Sequence, residues 1–238
     1  FNDLPTSKLS AAFKHDVVQL GAGINAFTEG NILSSIFSRG DNDRLSMVNQ
    51  LDVNFEKEWR QGVSNTFGVQ VRDLFSNPYV PFVKPDGELM PSVQSTIVRL
   101  NTRLSKDEIV VRKAFDKYSL GSDYPIGVDL AMGVKGLFKN DYELYRAVAS
   151  INYDFPISPI GKSHVVLTGG KIFGKVPYPL LKLHEGNATY FYDPYAFSCM
   201  NFYEFASDLW GAVFWEHHFK GFFLSKIPLM KRLKWREV

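Results

Sequence analysis

The chain has 238 residues, of which 45% are hydrophobic and 22% charged, with a net charge of +2 at pH 7. No run approaches about eighteen apolar residues, which excludes a membrane protein built from transmembrane helices. The small net charge gives no reason to expect a nucleic-acid partner, and a single cysteine, Cys199, excludes an internal disulfide.

Residues 1–44 form the least regular part of the chain. One strand is expected at about residues 11–20. Between Asn31 and Gly40 apolar residues recur at helical spacing, and Asn31 is a suitable cap, so a short helix is predicted there. We interpret it as a short helix that lies at the membrane interface or plugs the barrel. The alternative is a buried helix end in an ordinary core.

From residue 45 onward the chain shows the two-residue period of half-exposed strands, as where Leu51, Val53 and Phe55 alternate with Asp52 and Asn54. Strands are predicted at 46–60, 63–75, 93–104, 109–118, 125–137, 142–155, 164–174 and 207–219. Each has one apolar and one polar face. Most run roughly ten residues or more, the length that a tilted strand needs to cross a bilayer core.

The connections and the aromatic residues favour a membrane barrel. Turns are expected at Gln61-Gly62, at 105–108 and at 156–163, whereas 76–92 and 175–206 are long loops. Aromatic residues make up 15% of the chain and many lie near strand ends, as in the aromatic girdles of barrels. We therefore predict one all-β unit, an antiparallel transmembrane β-barrel segment. A soluble β-sandwich with an aromatic core is the alternative.

No catalytic, cofactor or metal site is predicted. Gly169-Gly170-Lys171 lacks the spacing of a phosphate-binding loop. His217 and His218 are neighbours in a strand and point to opposite faces, so they cannot share one metal ion. A barrel-embedded hydrolase that uses Glu216 or His218 with His184 is kept as an alternative.

Some polar residues are predicted to lie in the interior of the barrel and to pair with one another or with the long loop. These residues are Asp129, Lys135, Arg146, Asp154, Glu216 and His218. The basic and aromatic segment that follows residue 219 is interpreted as a turn at the level of lipid headgroups.

Four segments resemble one known family: GNILSSIFSR (30–39), YSLGSDYP (118–125), SPIGK (158–162) and the whole stretch 175–238, which begins KVPYPLLKLHEGNATYFYDPY. They are similar to the C-terminal region of a Bacteroidetes outer-membrane family of unknown function. Its members carry a carboxypeptidase-regulatory-like domain ahead of a barrel. The resemblance covers nearly the whole chain.

The resemblance implies a barrel distantly related to the superfamily of outer-membrane assembly proteins and bacterial surface antigens, with residues 175–206 as a loop that folds into the lumen. The Val-Arg-Gly-Tyr/Phe signature of that superfamily is missing, which weakens the case for an insertase. In its approximate place stand Gly186, Asn187, Tyr190, Tyr192 and Asp193. The chain is then expected to be a fragment, with eight or nine strands of a barrel of about sixteen.

These inferences lead to one expectation for function. The chain is expected to be a non-enzymatic protein of the Gram-negative bacterial outer membrane, with the lipid bilayer as its partner, and with other envelope proteins as further partners if it serves in protein assembly or translocation.

Overall fold

The computed structural model describes residues 7–18, 20, 45–84, 87–113, 116–186, 195–201 and 203–233. Antiparallel strands dominate this part of the chain, which confirms the all-β prediction. The strand expected at 11–20 begins earlier, at Ser7, and ends at Val18. The short helix expected after Asn31 lies outside the described residues.

Eight long strands build the fold. They are Ser7–Val18 (β1), Ser46–Arg60 (β2), Val63–Phe75 (β3), Ser92–Lys113 (β6), Asp116–Gly133 (β7), Leu144–Ile157 (β8), Gly161–Phe173 (β9) and Leu209–His218 (β12). They form one sheet in the order β1-β2-β3-β6-β7-β8-β9-β12, and every neighbouring pair is antiparallel. The outer strands of this order are β1 and β12, and the described residues contain no pairing between them.

Smaller elements lie in the connections. Phe82–Val83 (β4) pairs with Leu89–Met90 (β5), and Lys182–Leu183 (β10) pairs with Ala206–Ser207 (β11). Short 3-10 turns occur at Leu137–Lys139, Tyr178–Leu180 and Leu224–Lys226, and a six-residue helix, α1, spans Pro228–Leu233.

The turn predicted at 105–108 is wrong. β6 continues through these positions to Lys113, and β7 pairs with it from Asp116, so the strands predicted at 93–104, 109–118 and 125–137 merge into two. The pairing shifts register between Leu104 and Lys106 and again near Ile109. Such bulges interrupt the alternation of side chains, which reads in the sequence as the end of a strand.

The sheet has an apolar outer face that is open. Paired positions such as Phe55 and Phe67 share this face because directly opposite residues in a sheet point the same way. Its exposed large apolar residues are Leu9, Phe13, Val17, Met47, Leu51, Val53, Phe55, Trp59, Phe67, Val69, Leu104, Ile126, Leu130, Met132, Tyr145, Ile151, Tyr153, Leu167, Phe173, Leu209, Val213 and Trp215. The predicted apolar sides of the strands therefore lie together.

On the first four strands most polar residues of the outer face form two rows; Ser92 and Thr96 of β6 lie outside these rows, as do Lys171, Ser163 and His217 on β9 and β12. One row contains His15, Asn49, Asp73 and Gln94, and the other contains Ser7, Lys57, Asn65 and Thr102; the members of each row are register partners. Hydrogen bonds link them: Asn65 Nδ2 donates to Thr102 Oγ1 at 2.7 Å, and Lys57 Nζ donates to Ser7 Oγ at 3.1 Å. On each of these strands one row lies eight positions from the other, which is about 26 Å along the strand.

The two rows mark the two ends of the sheet. The loop end is the end that carries the long connections 76–91 and 174–208, and the turn end carries Gln61-Gly62, the turn 158–160 and the chain after His218. On the opposite, inner face, two buried clusters lie near the loop end. Val48, Leu74, Val93, Phe82 and Leu183 belong to one, and Ile97, Ala131, Leu144 and Ile172 to the other. The packed core therefore lies on the inner face.

Gly170 of β9 provides space for the Trp210 indole on the inner face. A Cβ at this position would lie 2.6 Å from Trp210 Cζ2 and 2.7 Å from the Ala147 carbonyl oxygen, closer than such atoms can approach. Gly211 lies on the neighbouring strand β12 and on the outer face. No atom lies within 4 Å of the place that a Cβ on Gly211 would occupy.

We expect Gly170→Val to destabilise the fold by about 1–3 kcal/mol, because the added side chain displaces Trp210 from packed surroundings. Thermal unfolding followed by far-UV circular dichroism in detergent measures this change. Gly211→Val is the matched control, with little expected loss. Equal effects of the two substitutions would show that β-propensity rather than this contact sets the stability.

Candidate functional site: the inner face and the segments that cover it

Asp52 is the centre of a hydrogen-bond network across three strands of the inner face. Its Oδ1 accepts from Gln70 Nε2 at 2.9 Å and from Arg99 Nη2 at 3.2 Å, and its Oδ2 accepts from Gln50 Nε2 at 2.5 Å. The side chains of Arg99 and Asp52 are 30% and 18% exposed, so the ion pair is partly removed from solvent. The amides of Gln50 and Gln70 and the Arg99 guanidinium thus satisfy the Asp52 carboxylate on this part of the inner face.

A second ion pair lies on β7 and β8. Arg146 Nη2 donates to Asp129 Oδ1 at 2.8 Å. Arg146 also lines a cavity of about 340 Å³, together with Arg72, Thr168 and Trp210. The predicted interior residues Asp129 and Arg146 therefore contact each other directly.

The turn end of the inner face carries a cluster of ionisable groups on β8, β9 and β12. Asp154 accepts from Lys162 Nζ at 2.7 Å and contacts His164 Nδ1 at 2.5 Å. Glu216 Oε1 lies 3.1 Å from His218 Nε2. Asp154, His164 and Glu216 are successive register partners across these strands, so the cluster is continuous.

The remaining candidates lie elsewhere. Lys135 follows the end of β7 and is exposed, so it does not join the inner-face charges. His184 Nε2 lies 2.9 Å from Ser207 Oγ, next to the β10–β11 pair, whereas Glu216 and His218 contact each other. The trio of the hydrolase alternative is thus divided between two hydrogen-bonded pairs.

His217 points to the outer face, opposite to His218. Its Nδ1 lies 2.7 Å from Ser163 Oγ and its Nε2 lies 2.9 Å from the Ile160 carbonyl oxygen. Because the carbonyl can only accept, Nε2 carries a hydrogen and donates it to Ile160, and the Ser163 hydroxyl is the partner of Nδ1. Ser163 is fully buried, so this pair holds the turn before β9 to β12 and does not form an open site.

The segment after β9 returns across the inner face. Val176 and Leu180 pack against the cluster of Ile97, Ala131, Leu144 and Ile172. Tyr178 packs edge-on against Phe82 at 5.8 Å, and its hydroxyl donates to the Pro81 carbonyl oxygen. Burial, with a smaller contribution from Tyr203, raises the pKa of Tyr178 to about 12, so the phenol remains a donor at physiological pH.

The same long connection returns to the inner face near β12. The rings of Tyr195 and Phe197 lie 5.9 Å and 5.3 Å from Phe214. Gly186 forms a bridge with Phe197, and a Cβ on Gly186 would lie 2.6 Å from the Met200 carbonyl oxygen. Gly186 is the one candidate loop residue that the structure describes. Asn187, Tyr190, Tyr192 and Asp193 lie outside the described residues.

Two further features concern the described residues alone. No group of three or more His, Cys, Asp or Glu side chains in that part of the chain could hold a metal ion. None of the helices found there combines the length and the apolar character that a membrane crossing requires.

Residues 36–238 match the C-terminal domain of a family of unknown function (DUF5686). The chain belongs to this family. The expected membership of a family of unknown function is therefore confirmed. Comparisons with curated proteins and with solved structures found no match.

Sequence reasoning missed the Asp52 network and the two polar rows of the outer face. Alternation already placed Asp52 and Arg99 on polar sides, but their contact depends on a register between β2, β3 and β6 that no local pattern specifies. The rows had a visible signal, because the spacing between Asn65 and Asp73 recurs between Gln94 and Thr102.

We expect the Asp129–Arg146 pair to contribute a measurable coupling energy. Asp129→Arg and Arg146→Asp each place like charges together, and the double swap restores the attraction, so the double-mutant cycle should yield about 0.5–3 kcal/mol. Chemical unfolding of the four proteins measures it. The same swap at Lys84 and Glu88, whose side chains are 41% and 65% exposed, is the control and should couple by less than about 1 kcal/mol. Equal coupling at both sites would show that partial burial does not strengthen the Asp129–Arg146 ion pair.

Proposed function

We propose that this chain is the membrane-embedded part of a bacterial outer-membrane protein, in which the outer face meets lipid and the inner face lines an aqueous or loop-filled lumen. The observation that carries the proposal is the band of exposed apolar side chains between the two polar rows. The band takes up seven residues per strand, and nine with the two polar rows that bound it, which is close to the length of a strand that crosses a bilayer. The proposal assigns no catalytic residue.

The composition of the band supports lipid as the contact. Its middle is aliphatic and aromatic, with Leu51, Val53, Val69, Leu130 and Val213 exposed. Exposed aromatic residues occur towards both ends: Trp59, Tyr153 and Trp215 near the turn end, and Tyr145 and Phe173 near the loop end. Apolar bands flanked by aromatic girdles are typical of outer-membrane barrels.

The open sheet suggests a larger assembly. In hydrocarbon the free backbone groups of β1 and β12 would each need a hydrogen-bonding strand beside them. We therefore propose that the sheet is one arc of a closed barrel, with further strands on both sides. The inward packing of Val176, Leu180 and Phe197 supports the interpretation of residues 175–206 as a lumen-directed loop.

A role in the assembly or translocation of outer-membrane proteins rests on the resemblance alone. It is supported by the similarity of residues 175–238 to a family for which the resemblance implies a distant relation to the outer-membrane assembly superfamily. Both alternatives have less support. A soluble sandwich would cover its apolar face with a second sheet, and the hydrolase would need His184 beside Glu216 or His218.

Two tryptophans on opposite faces test the proposal. Single-tryptophan variants that keep Trp215, on the outer face and 69% exposed, or Trp210, on the inner face over Gly170, are reconstituted into vesicles that contain brominated phosphatidylcholine. We expect strong quenching of Trp215 fluorescence and little quenching of Trp210. Equal quenching of the two, or release of the protein from bacterial envelopes by carbonate without detergent, would refute the membrane assignment.

A charge placed at two depths provides a second test. Val69 lies in the middle of the band on β3, and Asn65 lies in the turn-end row of the same strand. In a bilayer we expect Val69→Arg to destabilise folding by about 2–4 kcal/mol and Asn65→Arg by about 0–1 kcal/mol. Reversible unfolding in phospholipid vesicles measures both. In water both substitutions would be close to neutral, because Val69 is already 40% exposed.

A further inference from the structure

A cavity of about 460 Å³ lies at the turn end, where the chain that leaves β12 folds back over the turn between β8 and β9. Its walls include Pro156 and Pro159 on one side and Phe219 and Phe222 on the other. The backbone reverses at Lys220 and Gly221, whose φ angles are 53° and 87°. Two rigid turns therefore shape the cavity, which does not depend on the positions of long side chains alone.

The cavity is cationic. Lys220 and Lys226 both line it, and none of the described residues that line it is acidic. The Lys226 ammonium lies 4.0 Å from the centroid of the Phe222 ring, a cation–π contact that holds the charge at the cavity wall. Two ammonium groups without a carboxylate beside them attract an anion such as a phosphate group.

An apolar surface adjoins these cations. Phe223, Ile227 and Leu233 are 53%, 47% and 53% exposed, and they follow the turn in sequence. Trp215, close to the turn end of β12, is exposed on the outer face of the sheet; further along the chain the rings of His217 and Phe219 lie 4.4 Å apart and those of Phe219 and Phe223 lie 5.1 Å apart. A free phosphate ion would contact only the cations, whereas a phospholipid would contact both the cations and the apolar side chains.

We propose that this cavity, the Lys220–Lys226 pocket, binds the phosphate of an anionic phospholipid whose acyl chains lie along the neighbouring apolar side chains. The inference rests on the proposed membrane location and adds a specific lipid site to it. Such a site fixes the depth of the turn end in the bilayer, because a bound phosphate lies at the headgroup level.

The test measures binding of dioctanoyl phosphatidylglycerol to the full chain in a zwitterionic detergent, by isothermal titration. The test variant is Lys220→Asn with Lys226→Gln; Asn is chosen because it adopts the positive φ of position 220 more readily than most residues. We expect affinity to fall about five- to thirtyfold, since each cation near a lipid headgroup contributes about 1 kcal/mol. Lys226→Arg keeps the charge and the ring contact and should retain binding.

Lys171→Gln is the matched control. The Lys171 ammonium also lies over a ring, 4.9 Å from the Phe173 centroid, but at the loop end of the sheet. Its removal should leave the affinity unchanged. An equal loss in this variant would overturn the proposal in favour of a general effect of net charge. Unchanged unfolding temperatures show that the variants are folded, and either lysine substituted singly replaces the double variant if it does not fold.

Ligand arms separate the sources of phosphate. Inorganic phosphate and glycerol phosphate should bind far more weakly than the lipid, and dioctanoyl phosphatidylcholine more weakly than phosphatidylglycerol. Equal binding of inorganic phosphate would overturn the lipid assignment. If brominated lipid quenches Trp215 but the double variant binds normally, this inference fails and the membrane location stands. If Trp215 is not quenched, the membrane location itself fails.

Discussion

The strict two-residue period of the strands is the constraint on which the rest of the structure depends. A shift of one residue in any pairing would move a whole set of apolar side chains to the inner face and place charges outside. The observed register keeps the apolar side chains on one face from β1 to β12. Val53, Val69 and Val98, for example, align on the outer face. The bulges near Glu58 and from Leu104 to Val110 lie towards the turn end, beyond the apolar band.

The inner face changes in character from one end of the sheet to the other. Near the loop end it is apolar and is covered by residues of the long connections, including Leu180 and Phe82. Further along, charged groups replace apolar ones: Asp129 and Asp154 have basic partners on neighbouring strands, and Asp52 pairs with Arg99 across β3. Paired charges cost less to remove from water than single charges, so this face tolerates partial dehydration.

The sequence was sufficient for the faces of the strands and for most of their positions. β2 and β3 begin and end where the alternation predicted, at Ser46–Arg60 and Val63–Phe75. The failure at 105–108 has a physical cause, because a bulge and a turn both interrupt a two-residue pattern, and only the pairing of β6 with β7 distinguishes them.

Only part of the candidate site could be predicted from the sequence. Alternation assigns Asp129, Arg146 and Asp154 to the polar face, since a face is a local property of a strand. The choice of partner is not local: Asp52 contacts Arg99, 47 residues later in the chain, through the pairing of β2 with β3 and of β3 with β6. His184 illustrates the same limit, because its partner Ser207 is fixed by the β10–β11 pair within a long connection.

The position of the core distinguishes this sheet from an ordinary soluble one. In a sandwich the apolar face of each sheet forms the core and the charged face meets water. Here the buried clusters lie on the face that carries Asp52 and Asp129, while the face with the most apolar surface stays open. On the first four strands most polar groups of that open face lie in two rows about 26 Å apart. The proposed contact with lipid accounts for that spacing, because the thickness of a lipid layer fixes where polar groups can begin.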